Sequence, residues 1–396
     1  MTAMCLAVAV GSGFSAQVHS LELVRQSVEH PDIGKIGISV PTDYRLEIVN
    51  SELRGPRMIE FAPNGDMFIG SGTWVYLLRP PYERHFEFLF LGHYPHSVAI
   101  RNDEMFIAST TALYKTPYNP MLLRISESAL ELVAKLPGGF GHSSRTVKVG
   151  PDGKVYVSIG ISGNCSDEMI SENYRFRDRR GGVLALDESQ SEPRLVPFAS
   201  GLRNPVGFDW HPTSNVMYAA NNGPDHLGFD SPPEYFSKIT EGSFHGMPWY
   251  QYDGSRVLRD PCIDTEPPYP ADEVEIPAAT FPARIAPLGV AFVPPGAMDE
   301  NFQNNAIVAL HGSWGTQPDG GFSGDRATRR PPAVVMVRFE GNNVREVVPV
   351  ISGFQDENGD RWARPAGVST APDGALYITS DGGKLHGLMR LKKIND

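Results

Sequence analysis

Cysteine is scarce in this chain: three in 396 residues, Cys5, Cys165 and Cys262. None of them forms a Cys-x-x-Cys pair, which excludes a zinc cluster and covalently attached haem. Basic residues are outnumbered, 35 Lys and Arg against 46 Asp and Glu, and the formal charge is −11. A nucleic-acid partner asks for a basic stripe and is excluded on that ground. No apolar run approaches the roughly 18 residues that a membrane-spanning helix needs, so no membrane span is expected.

What the chain has in abundance is turn chemistry. Forty glycines and 34 prolines occur without a short period, which favours many short strands over long helices. A hydrophobic fraction of 41% with 20% charged residues suits a soluble protein with an ample core. The N-terminal MTAMCLAVAVGSGFSAQ has the apolar core and small-residue end of a secretory signal without its positive start. Residues 1–40 are therefore read as a signal-like or extended lead-in, and the expected location is periplasmic or secreted. Cys165 and Cys262 are compatible with one disulfide in an exported protein, a pairing that sequence leaves open.

From residue 41 to 396 one device recurs. Phe61–Ser71 (FAPNGDMFIGS), Ala99–Thr110, Val149–Gly160, Trp210–Gly223, Phe292–Gly312 and Thr370–Gly383 each read as a turn followed by an alternating apolar strand. Asn-Gly or Asp-Gly supplies the positive φ of a tight hairpin turn. Irregular β-meander repeats predict a propeller, and six copies predict six blades. The expected fold is all-β: a six-bladed β-propeller of four-stranded antiparallel blades in a single domain, the last blade closed by a strand from the N-terminal region. Two segments break the rhythm, Gln251–Ala279 and the Gly/Arg-rich Gly315–Pro332. Both are expected to overhang one mouth of the channel.

The corners that end each repeat would meet on one face. Arg57, His142, Arg145, Gly160–Asn164, Arg203, Asn222–Asp225, Arg284, His311 and Arg364 fall there. Cationic groups converging in an acidic protein suit a small multi-anionic ligand, because the guanidinium fork gives a carboxylate two parallel hydrogen bonds. Pairing of these arginines with nearby carboxylates is the competing reading. His142, at a strand entry after a glycine-rich approach, suits a general base. Gly223 and Pro224 could offer carbonyls to a hard cation such as calcium, and a simple turn is the alternative.

In order, HSSRTVKVGPDGKVYVSIG, FASGLRNPVGFDWHP, NNGPDHLG, PPEYFSKITEGSFHGMPW, APLGVAF, ALHGSW and RPAGVSTAPDGALYITSDGG resemble one family. It is the soluble pyrroloquinoline quinone (PQQ)-dependent sugar dehydrogenases, including aldose and sorbosone dehydrogenases, and the likeness runs from about Leu53 to Arg390. The resemblance implies a PQQ- and Ca2+-dependent oxidation of an aldose to its lactone, or of a sugar aldehyde such as sorbosone to the acid, with electrons passing to an external acceptor. It implies His142 as general base and Arg203 beside the reactive carbonyl. Arg57, Asn222, Arg284, His311 and Arg364 are implied as cofactor contacts. Gly223 and Pro224 are implied at the cofactor's calcium, and Glu234 at a second, structural calcium.

This chain departs from the family pattern in several places. Ile161 stands where glucose dehydrogenases carry an aspartate behind the base, with Asn164 the nearest substitute. Arg284 replaces a histidine, His311 a lysine, and Gly315–Pro332 is longer than expected. A calcium-dependent lactonase or esterase and a non-catalytic glycan- or partner-binding propeller are the alternatives. The first would need metal-binding carboxylates in the channel; the second would follow from losing the site through changes such as Ile161.

Overall fold

The structure, a computed structural model, describes residues 21–394. The signal-like stretch and Cys5 lie outside the described residues. Their regular secondary structure is almost all strand, arranged as six antiparallel blades around a central channel.

Each repeat seen in the sequence is the hairpin joining the innermost strand of a blade to the next. Blade 1 runs Ile59–Phe61, Met67–Gly70, Trp74–Leu78 and His85–Phe90. Blade 2 runs Ser97–Arg101, Glu104–Ala108, Ala112–Pro117 and Glu131–Lys135; blade 3 Val147–Val149, Val155–Ile159, Gly182–Asp187 and Arg194–Ser200. Blade 4 is Pro205–Trp210, Met217–Asn221, Glu234–Ile239 and Ala279–Phe281. Blade 5 starts with Pro287–Phe292, Ala306–Leu310, Ala333–Glu340 and Asn343–Ser352, and Gly34–Pro41 and Leu23–His30 extend its outer edge. Blade 6 takes Pro365–Thr370, Leu376–Asp381 and His386–Lys393 from the C-terminal end and Tyr44–Asn50 from the other. Every innermost hairpin turns through a residue of positive φ: Gly65, Asn102, Gly153, Asn215, Gly296 and Gly374. Only Gly, and less readily Asn, adopts that conformation cheaply.

The ring is held by six apolar seams, one between each pair of neighbouring blades. Phe106 and Val157 lie in the seam between blades 2 and 3, Val183 and Phe208 in that between 3 and 4, and Phe236 and Val308 in that between 4 and 5. Ile307 and Ile378 face each other between 5 and 6, Ile69 and Tyr377 between 6 and 1, and Phe68 and Ile107 between 1 and 2. A blade cannot bury both faces alone, so stacking supplies the core. At the channel wall the blades come closer still. The repeated Pro-x-Gly of Pro205–Gly207, Pro287–Gly289 and Pro365–Gly367 starts the inner strands of blades 4, 5 and 6 with a β-bulge. A Cβ on Gly207 would lie 2.1 Å from the Leu288 carbonyl oxygen, and one on Gly367 2.2 Å from that of Arg57. The residues between, Val206, Leu288 and Ala366, join Met58 in a small apolar cluster that floors the channel beneath its mouth.

Gln251–Ala279 folds as an annex with its own hairpin (Tyr250–Tyr252 and Val257–Arg259) and an apolar cluster around Phe244, Trp249 and Val274. A disulfide between Cys165 and Cys262, Cα atoms 6.1 Å apart, ties it to the loop after blade 3's second strand. Ring closure should carry a large share of the stability. Leu391, fully buried opposite Leu46 in the closing pair, should cost about 2–5 kcal/mol on Leu391→Ala. A lowered denaturant midpoint at unchanged slope is the expected reading, and a loss below about 0.5 kcal/mol would show that closure does not hold the ring.

Candidate functional site

A cavity of about 430 Å³ sits in the channel mouth over Ala286 and Leu288. Of the residues singled out from sequence, Arg57, His142, Arg203, Asn222, Gly223, Asp225, Glu234, Arg284 and His311 line it together. Pro224 stands behind this lining, and Arg364 opens into a neighbouring cavity. Arg145 is placed elsewhere: it is fully buried and donates to the carbonyls of His142, Ser144 and Pro137. With Arg180, which bonds the carbonyls of Gly160, Phe140 and His142, it clamps the loop that carries His142.

His142 Nδ1 lies 2.6 Å from the Ile161 carbonyl oxygen. A carbonyl only accepts, so Nδ1 carries the proton and Nε2 is left as the acceptor. The support expected from a side chain at position 161 is thus supplied by that residue's backbone. Burial first, then the neighbouring Arg203 charge, pulls the His142 pKa down to about 3, which keeps the ring neutral. Asn164 serves a different partner: its backbone and side-chain oxygens accept from Arg203 Nε and Nη2 at 2.8 and 2.9 Å. The same Oδ1 accepts the Asp225 N–H at 2.8 Å.

Two aspartates organise the cations. Asp225 pairs with Arg203 at 3.4 Å and Arg284 at 3.1 Å. Asp381 pairs with Arg57 and, at 2.6 Å, with His311 Nε2. The reading in which arginines pair internally therefore holds for Arg57, Arg203 and Arg284. Burial lowers the His311 pKa to about 4 against the opposing pull of Asp381. Asp381 went unrecognised in the sequence, yet the strand registers set Asn222, His311 and Asp381 at the same corner of blades 4, 5 and 6. That alignment of repeats is the signal that finds it. Trp314 and Phe322, both from the segment after blade 5's second strand, complete the wall.

Arg284 has the densest set of contacts. Its Nη1 donates to the Pro224 carbonyl and to Asp225 Oδ1, its Nη2 to the carbonyls of Gly228 and Ser231. The chain holds Arg284 and Ala286 at φ of 69° and 55° to place it, a conformation costing of order 1 kcal/mol or more per residue. Glu234 was expected at a separate structural cation. It lines this wall, where it is 3% exposed and accepts the Gly223 N–H. Burial raises its pKa to about 7.

Comparison with known proteins places this geometry. A family model described as TrAA12-like matches residues 38–233 and 265–387. Two structures of a Trichoderma reesei protein of Carbohydrate-Active Enzymes family AA12, an iodide and a calcium structure, superpose with TM-scores of 0.74 and 0.72 at 16% identity. They cover 96% and 95% of this chain and 100% and 98% of theirs. The holo PQQ domain of Coprinopsis cinerea pyranose dehydrogenase superposes at 0.70 with 18% identity, covering 92% of this chain and 98% of that one. An uncharacterised protein of Borreliella burgdorferi is 25% identical over 359 residues, 87% of this chain and 89% of its own length.

The neutral, half-buried His142 links the site to stability. Its pKa in the fold lies below that of the unfolded chain, so the unfolded state takes up the extra proton. The contribution is full above pH ~6.5 and is lost as pH falls towards 3. Lowering pH from 8 to 5 should cost His142 about 2 kcal/mol at 1.36 kcal/mol per pKa unit. His142→Gln should shrink the difference in denaturation midpoint between those pH values; an unchanged difference would mean that His142 titrates normally.

Proposed function

The chain belongs to the TrAA12-like family, and from that premise we propose that it is a PQQ-dependent oxidoreductase that oxidises a sugar. The substrate is an aldose, oxidised to its lactone, or a sugar aldehyde, oxidised to the acid. The single observation that carries this reading is His142, a neutral imidazole with Nε2 available in the wall of a cavity that Arg57, Arg203 and Arg284 also line. The fold shared with a pyranose dehydrogenase PQQ domain supports it.

The residues present fit a planar, carboxylate-bearing quinone. Arg57 and Arg284 each keep a buried Nε–H without a partner, and Arg203, Asn222 and His311 stand around the same cavity. When bound, PQQ supplies a two-electron acceptor for the hydride leaving the sugar carbon. His142 Nε2 takes the proton of the hydroxyl on that carbon, which for a sugar aldehyde is a hydroxyl of its hydrate formed with water. Arg203, fixed by Asn164 and Asp225, presents its positive charge without reorganising. The apolar floor of Leu288 and Ala286 excludes water from below. The electrons leave to a separate acceptor.

Calcium does not fit in the same way. A hard divalent cation takes carbonyl and carboxylate oxygens, and the oxygens of Pro224, Asp225, Gly228 and Ser231 already surround the Arg284 guanidinium. No step is assigned to a cation; Arg284 provides the fixed charge there. The lactonase alternative loses support because Asp225 and Asp381 are committed to arginine and histidine. The Cys165–Cys262 disulfide supports a periplasmic or secreted location, since such bonds persist in oxidising compartments.

Two experiments test this reading. A visible absorption titration should show PQQ binding, and a sugar panel should then show dye reduction. His142→Ala should still bind PQQ while oxidation falls about 10²–10⁴-fold; activity within about tenfold of the parent removes His142 as base. Treatment with EDTA should leave PQQ binding unchanged in the parent, and terbium luminescence should report a lanthanide site only in Arg284→Ala. Tight terbium binding by the parent, lost on EDTA together with PQQ binding, would restore calcium to the site.

A further inference from the structure

A second cavity, of about 480 Å³, opens beside the first and shares His311, Trp314 and Asp381 with it. Arg326, Arg329, Arg361, Arg364 and Lys384 contribute five cations to its wall against the two carboxylates of Asp360 and Asp381. Both carboxylates are engaged, Asp360 by Arg326 and Asp381 by Arg57 and His311. Among the described residues, Arg329, Arg361, Arg364 and Lys384 form no ion pair. Arg329 Nε is buried without a hydrogen-bond partner. Arg361, 9% exposed, spends Nε on Gln355 Oε1 at 2.7 Å and Nη2 on the Arg330 carbonyl at 3.1 Å, neither of them charged.

The group is electrostatically frustrated. Burial, and then Arg329 and Arg326, pull Arg361 down to about 10, while burial and Arg361 pull Arg364 down to about 9. In a chain of net charge −11 a solvated face could have supplied carboxylates at little cost. Instead the fold gathers the cations deliberately: Arg326 and Arg329 come from the Gly315–Pro332 segment, in a short 3₁₀ turn capped by Asp325, which accepts the Ala327 N–H at 2.9 Å. That segment is docked by Gln355, which donates to the Arg329 carbonyl at 3.1 Å. Trp314 stands on the shared wall, 59% exposed, with Arg364 4.0 Å from its ring. Such a ring offers an apolar face to the C–H side of a pyranose.

We propose that this second cavity seats an anionic substituent of the sugar, a carboxylate or a sulfate ester, so that the substrates of the site are acidic sugars. The inference rests on the sugar-oxidising reading above and narrows its substrate class. With the reacting carbon at His142 and the ring against Trp314, one ligand extends through the shared wall, and its anion takes the guanidinium forks that no carboxylate of the chain occupies.

Calorimetric binding tests this without depending on turnover. D-glucuronate, glucose 6-sulfate and D-glucose are titrated into PQQ-loaded parent protein and into Arg329→Ala, a substitution outside the proposed catalytic and cofactor sets. The parent should bind at least one acidic sugar about 10–100-fold more tightly than glucose, the range expected of a charge-assisted hydrogen bond. Which acidic sugar wins identifies carboxylate or sulfate ester as the source of the anion. Arg329→Ala should lose about tenfold for the acidic sugar and nothing for glucose, with PQQ affinity and thermal midpoint unchanged. Equal affinity of the parent for glucose and both acidic sugars would overturn the proposal. So would a variant that weakens PQQ while leaving sugar preference untouched, which would give the cavity to the cofactor. Preference for an acidic sugar without any oxidation would sustain the cavity's assignment and count against the oxidoreductase reading alone.

Discussion

Guanidinium groups buried against backbone carbonyls hold the mouth of this propeller together. Arg145 and Arg180 converge on the loop that carries His142, Arg203 is gripped by Asn164, Arg364 by the carbonyls of His311 and Gly312, and Arg284 by those of Pro224, Gly228 and Ser231. Each arginine satisfies carbonyls that the loops would otherwise leave buried and unpaired, a loss of about 1–3 kcal/mol apiece. The positive charge comes with the hydrogen bonds. A face built this way is cationic for structural reasons before it is cationic for a ligand, which reconciles an acidic protein with an arginine-lined cavity.

The charges are balanced unevenly around the channel. Asp225 and Asp381 neutralise the cations on the side of blades 4 and 6 that faces the floor of the cavity. Beside the Gly315–Pro332 segment, Arg329, Arg361 and Arg364 form no ion pair among the described residues, and they repel one another. The low pKa of His142 has other sources: burial and then Arg203, with Arg180 and Arg145 adding to it.

Much of the fold was legible in the sequence because its signals are local. Asn-Gly and Asp-Gly turns demand positive φ at Gly65 and Gly153, and alternation after each turn marks the second strand of a blade. Closure by Tyr44–Asn50 follows from the last repeat ending beside the C-terminus. The candidate residues were legible as corners of repeats, and nine of them share one cavity. Their partners were not, because pairing across blades has no local signature: nothing near Arg57 in the chain announces Asp381, 324 residues away. The support behind His142 escaped a residue-type reading because it is a backbone carbonyl, which any side chain at position 161 provides. Arg284 was visible as an exchange for histidine, but its role depends on four oxygens brought together by the turn from Pro224 to Ser231.

The central claim is that an arginine-lined cavity in the channel mouth binds an anionic quinone with Arg284, rather than a divalent cation, among the carbonyls. A crystal structure of the protein soaked with PQQ in the presence of calcium, with anomalous data, tests it most directly. The account predicts the quinone beside Arg203 and His142, the Arg284 guanidinium still among the oxygens of Pro224, Asp225, Gly228 and Ser231, and no anomalous peak between them. A calcium peak at that place with Arg284 swung away, or a channel mouth without the quinone, would contradict it.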